Sequence, residues 1–304
     1  MKLVTYRTGR EVSIGAVAGN DVFDLNKAFK AHLGGSFKDA KVAPLDMLKF
    51  LDLGPKGLAE AKKAIKAAET PKFLTPLKKV KLLAPIPRPR KNIVCLGLNY
   101  AEHVKEGSKG GVTPNLPPVP IYFTKPPTAV AGPYDNIVYP KVTEKLDYEA
   151  ELSFVIGKKG KNIPEEKVYD YIAGYMAFDD VSARDLQSKH QQWYRGKSLD
   201  TFAPMGPWIV TKDEVGNPQE LDLWCKVNGD ERQHTNTSNM IFNINKIVAT
   251  LSAGITLEVG DIFATGTPSG VGTSHPLGLL TPGDVVEVGV EKIGSIKNKV
   301  VTEK

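Results

Sequence analysis

Apolar residues along this chain recur mostly at every second position, and only a few stretches carry the longer period of a helix. Residues 2–6, 11–17 and 21–25 alternate apolar and polar side chains and are broken by Gly9, Gly15 and Gly19, which predicts small hairpins. Residues 24–32 and 44–53 read as helices. Residues 57–69 place Leu58, Ala61 and Ile65 on one face with lysines opposite, the pattern of an amphipathic surface helix. Pro85, Pro87 and Pro89 then force an extended connector over residues 82–90. This predicts a small N-terminal α+β domain over residues 1–80 and a larger domain over 85–304.

In the larger part, residues 91–98 form a short apolar run suited to a buried strand. Residues 221–227 and 231–237 flank Asn228-Gly229, a strong hairpin turn. Residues 244–252 read as a helix. The run G-D-I-F-A-T-G-T-P-S-G-V-G predicts a strand entering a glycine-rich loop over 266–272, which lacks the G-K-[ST] of a Walker loop. Ser182 and Asp185 make a loose capping box, so a short helix is predicted to start at Ser182. Many short strands and few long helices describe an α+β, β-rich chain.

Candidate chemistry centres on L-D-Y-E-A-E-L. In a strand, Glu149 and Glu151 share a face, and the apolar run Phe154, Val155, Ile156 that follows sets them beside a core, where two carboxylates are costly without a cation. Asp180 ends another apolar run. A divalent cation would leave these three carboxylates one net negative charge, which Lys197 and Arg184 more than balance. All-oxygen ligands favour Mg²⁺ or Mn²⁺ over Zn²⁺. An octahedral ion held by three carboxylates keeps three positions open, room for a bidentate 2-oxo acid and a water. Arg184 and Gln187, three apart on a helix, are predicted to face the place where Asp180 points.

His103 and Glu106 also stand three apart, the simplest general base with its carboxylate, and the Gly- and Pro-rich residues 107–120 after them suit a lid. The loop over 266–272 is either ordinary or an anion cradle in which amides and the Thr267 hydroxyl serve. Taken singly, each of these features has an ordinary structural explanation. His32, His190, His234 and His275 are assigned to structure.

The formal charge of +6 comes from lysines scattered over 56–81 and 292–304 without interleaved aromatics, the mark of a solvated face and not of a nucleic-acid site. No apolar run reaches the length of a membrane helix, and the first ten residues carry charge where a signal peptide would be apolar, so no membrane partner and a cytoplasmic location are expected. Cys95 and Cys225 fit neither a disulfide framework nor a zinc knuckle and are expected to pack in the core.

The ordered series N-Y-A-E-H-V-x-E, L-D-Y-E-A-E-L, D-D-V-S-A-R-D-L-Q, G-K-S, V-N-G-x-x-R-Q, M-I-F and G-D-I-F-A-T-G-T-P-S-G-V-G resembles the fumarylacetoacetate hydrolase family from Pro85 to the end. The resemblance implies a mixed β-roll catalytic domain, a homodimer, and Mg²⁺ or Mn²⁺ held by Glu149, Glu151 and Asp180. By the same resemblance His103 and Glu106 form the lid dyad, and Arg184, Gln187, Lys197 and Thr267, with Gly266 beside it, meet the substrate. The N-terminal domain resembles the short accessory domain of longer members. Two stretches, K-L-L-A-P-I-P-R-P-R and H-Q-Q-W-Y-R-G-K-S-L-D-T-F-A-P-M-G-P, particularly resemble bacterial members that decarboxylate oxaloacetate.

The activity so implied is metal-dependent cleavage of a C–C bond in a 2-oxo acid through a pyruvate enolate at the metal, with Lys197 stabilising the enolate and His103 as base: an acylpyruvate hydrolase or an oxaloacetate decarboxylase. Isomerisation or dehydration of a related acid, and 2-oxo-acid binding without catalysis, are the alternatives.

Overall fold

In the computed structural model, which describes residues 1–31, 45–67, 71–106 and 115–304, the period-two stretches are strands. β1 (Lys2–Thr8), β2 (Glu11–Ala18) and β3 (Asp21–Asp24) form an antiparallel meander. Asp24 ends it by accepting from the Lys27 amide at 2.9 Å, as N-cap of α1 (Leu25–Lys30). α2 (Met47–Asp52) buries Phe50 and Leu51, and α3 (Gly54–Ala67) buries Ala61 and Ala64, with Leu58 and Ile65 half-buried beside them. β4 (Leu74–Pro76) then pairs with β3, and β5 (Lys81–Leu82) with β1. Helix predictions that ran into 32, 44 and 68–69, and the 107–114 part of the proposed lid, lie outside the described residues.

The connector leads into β6 (Ile93–Gly97), α4 (Ala101–Glu106) and β7 (Ile121–Lys125), followed by the short β8 (Val130–Ala131), β9 (Ile137–Tyr139) and β10 (Leu146–Asp147). Next come β11 (Ala150–Ile156), α5 (Val168–Tyr171), β12 (Ile172–Asp179), β13 (Ser182–Ala183), α6 (Arg184–Lys189), α7 (Tyr194–Lys197), β14 (Ala203–Thr211) and α8 (Lys212–Val215). The predicted hairpin is β15 (Asp222–Val227) and β16 (Asp230–Asn236). α9 (Ile244–Ser252), β17 (Ile262–Ala264), β18 (Val285–Val290) and β19 (Gly294–Thr302) complete the chain.

One sheet runs β4-β3-β2-β1-β14-β12-β11-β17-β6-β7 and a second runs β16-β15-β18-β19-β9. β17 pairs parallel with β6 and β19 with β9, so the sheets are mixed. β12 and β14 pack against β18 and β19, and the core lies between these layers. Every residue of β11 and β12 is buried, and Phe154 stacks on Phe263 with centroids 4.9 Å apart. This is the expected β-rich α+β architecture. Through the pairing of Lys2 with Val210 and Leu3 with Ile209, the N-terminal strands continue the main sheet.

The helix expected from Ser182 starts two residues later. Ser182 and Ala183 pair with Leu146 and Asp147 instead, and the Ser182 hydroxyl donates to the Asp180 carbonyl, which leaves no N-cap oxygen. Asp185 turns back to accept from the Thr143 hydroxyl and the Glu144 amide.

Asn99 sets the entry to α4. Its amide nitrogen donates to Phe242 O at 3.1 Å and Thr265 O at 2.8 Å, its oxygen accepts from the Phe242 amide at 2.8 Å, and the residue is buried. Asn99→Asp puts an acceptor against two carbonyls and is expected to destabilise the fold by about 3 kcal/mol. A urea unfolding midpoint equal to that of the parent protein would refute this role.

Candidate active site

Glu149, Glu151 and Asp180 converge from the segment around β11 and the end of β12, each with a carboxylate oxygen within 4.8 Å of the others. Register explains the meeting: Ala150 pairs with Asp179, and the Asp180 amide donates to Glu149 O at 2.9 Å, so the two strand ends lie side by side. All three are buried.

Three cations enter from other elements. Lys197, at the end of α7 and 2% exposed, donates to Glu149 Oε2 at 2.7 Å and Asp180 Oδ2 at 2.9 Å. Lys125, fully buried at the end of β7, pairs with Asp180 Oδ1 and donates to Val181 O at 3.0 Å. Arg184 donates through Nε to Asp147 at 2.8 Å and through Nη1 to Glu149 Oε1 at 2.6 Å. Arg184 was predicted to face Asp180; it turns to Asp147 and Glu149, because the lysines already hold both Asp180 oxygens.

Four carboxylates, Asp147 included, thus face three cations, and the surplus falls on Glu151. Its Oε2 accepts from the Gly266 amide at 2.8 Å, while its buried Oε1 has no partner among the described residues. Burial, reinforced by the charges of Asp180 and Glu149, holds the Glu151 carboxyl well above the usual carboxylate range. At Glu149, burial acts upward too, but Lys197 and Arg184 outweigh it and bring the carboxyl down to about 2. Burial disfavours the Lys197 ammonium, yet Asp180 and Glu149 raise it on balance. An unpartnered carboxylate oxygen beside two further carboxylates is an all-oxygen donor set that fits Mg²⁺ or Mn²⁺. A dication would change the local net charge from minus one to plus one, and a monoanionic head group would return it to zero.

His103 and Glu106 meet as their spacing predicted. Glu106 Oε2 lies 3.2 Å from His103 Nδ1, and its Oε1 accepts from the Gly270 amide at 2.8 Å. An ionised carboxylate only accepts, so Nδ1 carries the hydrogen and Nε2 is left as the basic nitrogen. His103, Glu149, Arg184, Gln187, Lys197 and Thr267 line one small chamber of about 60 Å³. The Gly266 amide is occupied by Glu151, and Thr267 Oγ1 accepts from Gln233 Nε2 at 2.8 Å. An outer cavity of about 550 Å³ adjoins it, lined in part by His103, Glu106, Arg184 and Gln187. A third cavity, about 590 Å³ between α3 and β12, is larger but holds none of these groups.

Sequence reasoning passed over Lys125, Asp147, Gln233 and Trp193. Asp147 was visible, since it shares strand parity with Glu149 and Glu151. Lys125 gave a fainter signal as a lysine ending the apolar strand I-Y-F-T-K. Gln233, which also accepts from the Ala150 amide at 2.9 Å, reaches the site from β16; it closes the motif V-N-G-x-x-R-Q, which marked the position without giving its role.

Among known proteins, the family model for fumarylacetoacetate (FAA) hydrolase, C-terminal, matches residues 92–301. The oxaloacetate tautomerase YisK of Bacillus subtilis is 40% identical over 309 residues, covering 99% of this chain and all of that protein. The human mitochondrial oxaloacetate tautomerase FAHD2A is likewise 40% identical, over 99% of this chain and 92% of its own. Two solved structures align over the whole of both chains: a fumarylacetoacetate hydrolase from Exiguobacterium antarcticum (34% identity, TM-score 0.80) and a maleylpyruvate hydrolase from Sphingobium in complex with manganese(II) and pyruvate (31%, 0.77).

The surplus charge on Glu151 predicts opposite effects with and without metal. Because its folded-state carboxyl titrates above the unfolded one, the ionised form weakens the metal-free fold progressively as pH rises above the unfolded value. Glu151→Gln is therefore expected to stabilise the metal-free protein at pH 7 by roughly 1–3 kcal/mol, with the gain vanishing below about pH 4. The same substitution should abolish the rise in melting temperature produced by Mn²⁺. Equal metal-induced rises in the two proteins would exclude Glu151 as a ligand.

Proposed function

We propose that this chain, which belongs to the fumarylacetoacetate hydrolase family, interconverts the enol and keto forms of oxaloacetate or a closely similar 2-oxo diacid with the help of a divalent cation. Glu149, Glu151 and Asp180 are taken as its ligands. The observation that carries this reading is that two buried groups at the site have no partner among the described residues: an acceptor, Glu151 Oε1, and a donor, Arg184 Nη2. The first calls for a cation and the second for an anion, which are the needs of a chelated 2-oxo acid bearing a second carboxylate. Full-length similarity to proteins named oxaloacetate tautomerases supports the same substrate class.

The chemistry that Mg²⁺ or Mn²⁺ supplies when bound is polarisation of the 2-oxo group, which acidifies the hydrogens at C3. Lys197 spends two of its three N–H bonds on Glu149 and Asp180, and the third is available to the oxygen on which negative charge develops. Arg184 and Gln187 hold the distal carboxylate. His103 Nε2 takes the C3 proton in one direction and returns it in the other, its ring fixed by Glu106, while the 2-oxygen gains or loses the enol proton by exchange with solvent. Residues 85–304 form the catalytic unit and residues 1–80 an accessory domain of a homodimer.

A second reading, cleavage of the bond at C3 of a longer 2,4-dioxo acid, is supported by the outer cavity beside the chamber and by likeness to the maleylpyruvate hydrolase. There His103 would activate water.

Mn²⁺-loaded protein should speed decay of the ultraviolet absorbance of enol-oxaloacetate well beyond Mn²⁺ alone, without matching release of pyruvate. His103→Ala is expected to slow this by roughly 10²–10⁴-fold. Decay no faster than with Mn²⁺ alone would sink the proposal, and pyruvate appearing as fast as the enol disappears would favour cleavage.

A further inference from the structure

The inner chamber and the outer cavity share a wall made of His103, Arg184, Gln187 and Trp193. The first three carry polar groups with work to do on the substrate. Trp193 has only its indole N–H, and its place is tightly built. Gly97 ends β6 directly against it, and a Cβ there would overlap the six-membered ring of the indole. Phe123 on β7 meets the same indole edge-on, with centroids 5.4 Å apart and planes at 77°. A glycine that makes room and an aromatic edge that clamps together hold a large apolar side chain at the boundary of a charged chamber.

Size indicates what this boundary does. A space of about 60 Å³ is the room of about two waters at about 30 Å³ each, enough for the small polar end of an acid and not for an aryl or long-chain tail. The 550 Å³ beyond the wall would accept such a tail.

We propose that Trp193 is a specificity-determining residue: it closes the chamber behind C3, so that a short polar substituent is retained and a bulky one is refused. This rests on the 2-oxo-acid reading above and adds the residue that selects among such acids. Trp193 works by exclusion and takes no part in the proton transfer. Trp193→Ala joins the two spaces.

The test compares two probes by calorimetry on Mn²⁺-loaded protein: oxalate, which needs only the chamber, and benzoylpyruvate, whose aryl group must pass the wall. Trp193→Ala should tighten benzoylpyruvate relative to oxalate by about 10–100-fold, the range in which an apolar pocket discriminates by size, while oxalate itself changes by less than about threefold. Trp193→Phe keeps the edge contact with Phe123 and should give a smaller shift of the same sign, so the question stays answerable if the alanine variant does not fold. An unchanged ratio, or equal loss of both ligands, overturns the role of Trp193 and leaves the functional reading intact. Failure of the parent protein to bind either acid overturns that reading, and this inference with it.

Discussion

A buried acidic cluster with more carboxylates than cations is the constraint on which the site depends. Each buried ion costs several kcal/mol when left uncompensated, so every carboxylate here is matched until the cations run out. Asp180 takes two lysines, Glu149 takes Lys197 and Arg184, and Asp147 takes Arg184. Glu151 receives a single backbone amide. Its neighbour Asp179 shows the same pressure: burial lifts its carboxyl to about 7, and one of its oxygens is likewise unpartnered. The protein holds a charge deficit in place by making the surrounding strands rigid, and β11 and β12, buried at every residue, do so.

The glycine-rich loop after β17 is the second organiser, and its anions are the protein's own. Gly266 donates to Glu151, Gly270 to Glu106 and Gly272 to Asp147, so one loop orients a carboxylate of the acidic cluster, the partner of His103 and the partner of Arg184. Gly266 has φ +90 and a Cβ on it would meet Asn99 Cβ at 2.8 Å, so a side chain is excluded both by conformation and by space. Of the two readings left open for this loop, an ordinary turn or an anion cradle, the second describes how its amides hold the protein's own carboxylates.

Legibility followed the range of the interactions. Alternation in 2–25, the Asn-Gly turn and the 244–252 helix are local patterns, and each appears where the pattern put it. Glu149 with Glu151, and His103 with Glu106, are also local, fixed by strand parity and helical spacing. Asn99 and Gln233 stand in the quoted motifs, but their roles, like that of Lys125, were not legible because each works through a partner more than 50 residues away. The Ser182 cap gave way to a contact of shorter range that is still not local. A two-residue pairing with Leu146 and Asp147 overrode a local capping preference worth about 1 kcal/mol.

Charge and shape divide the labour of this site. The carboxylates of the acidic cluster are set by the registry of β11, β12 and the glycine-rich loop, deep in the core, and their cations reach them from β7, α6 and α7, so a substitution there disturbs several buried partners at once. In the proposed reaction the far end of a substrate meets α4, α6 and the turn before α7, which are short and partly exposed elements. In that reaction the carboxylate and carbonyl common to any 2-oxo acid meet the first set, and the base His103 is drawn from the second. The bond that changes at C3 depends on what the second set admits and on whether water comes with it. A scaffold divided in this way can keep its electrostatics fixed while its walls vary, which is consistent with tautomerases and hydrolases sharing this chain's fold over its full length.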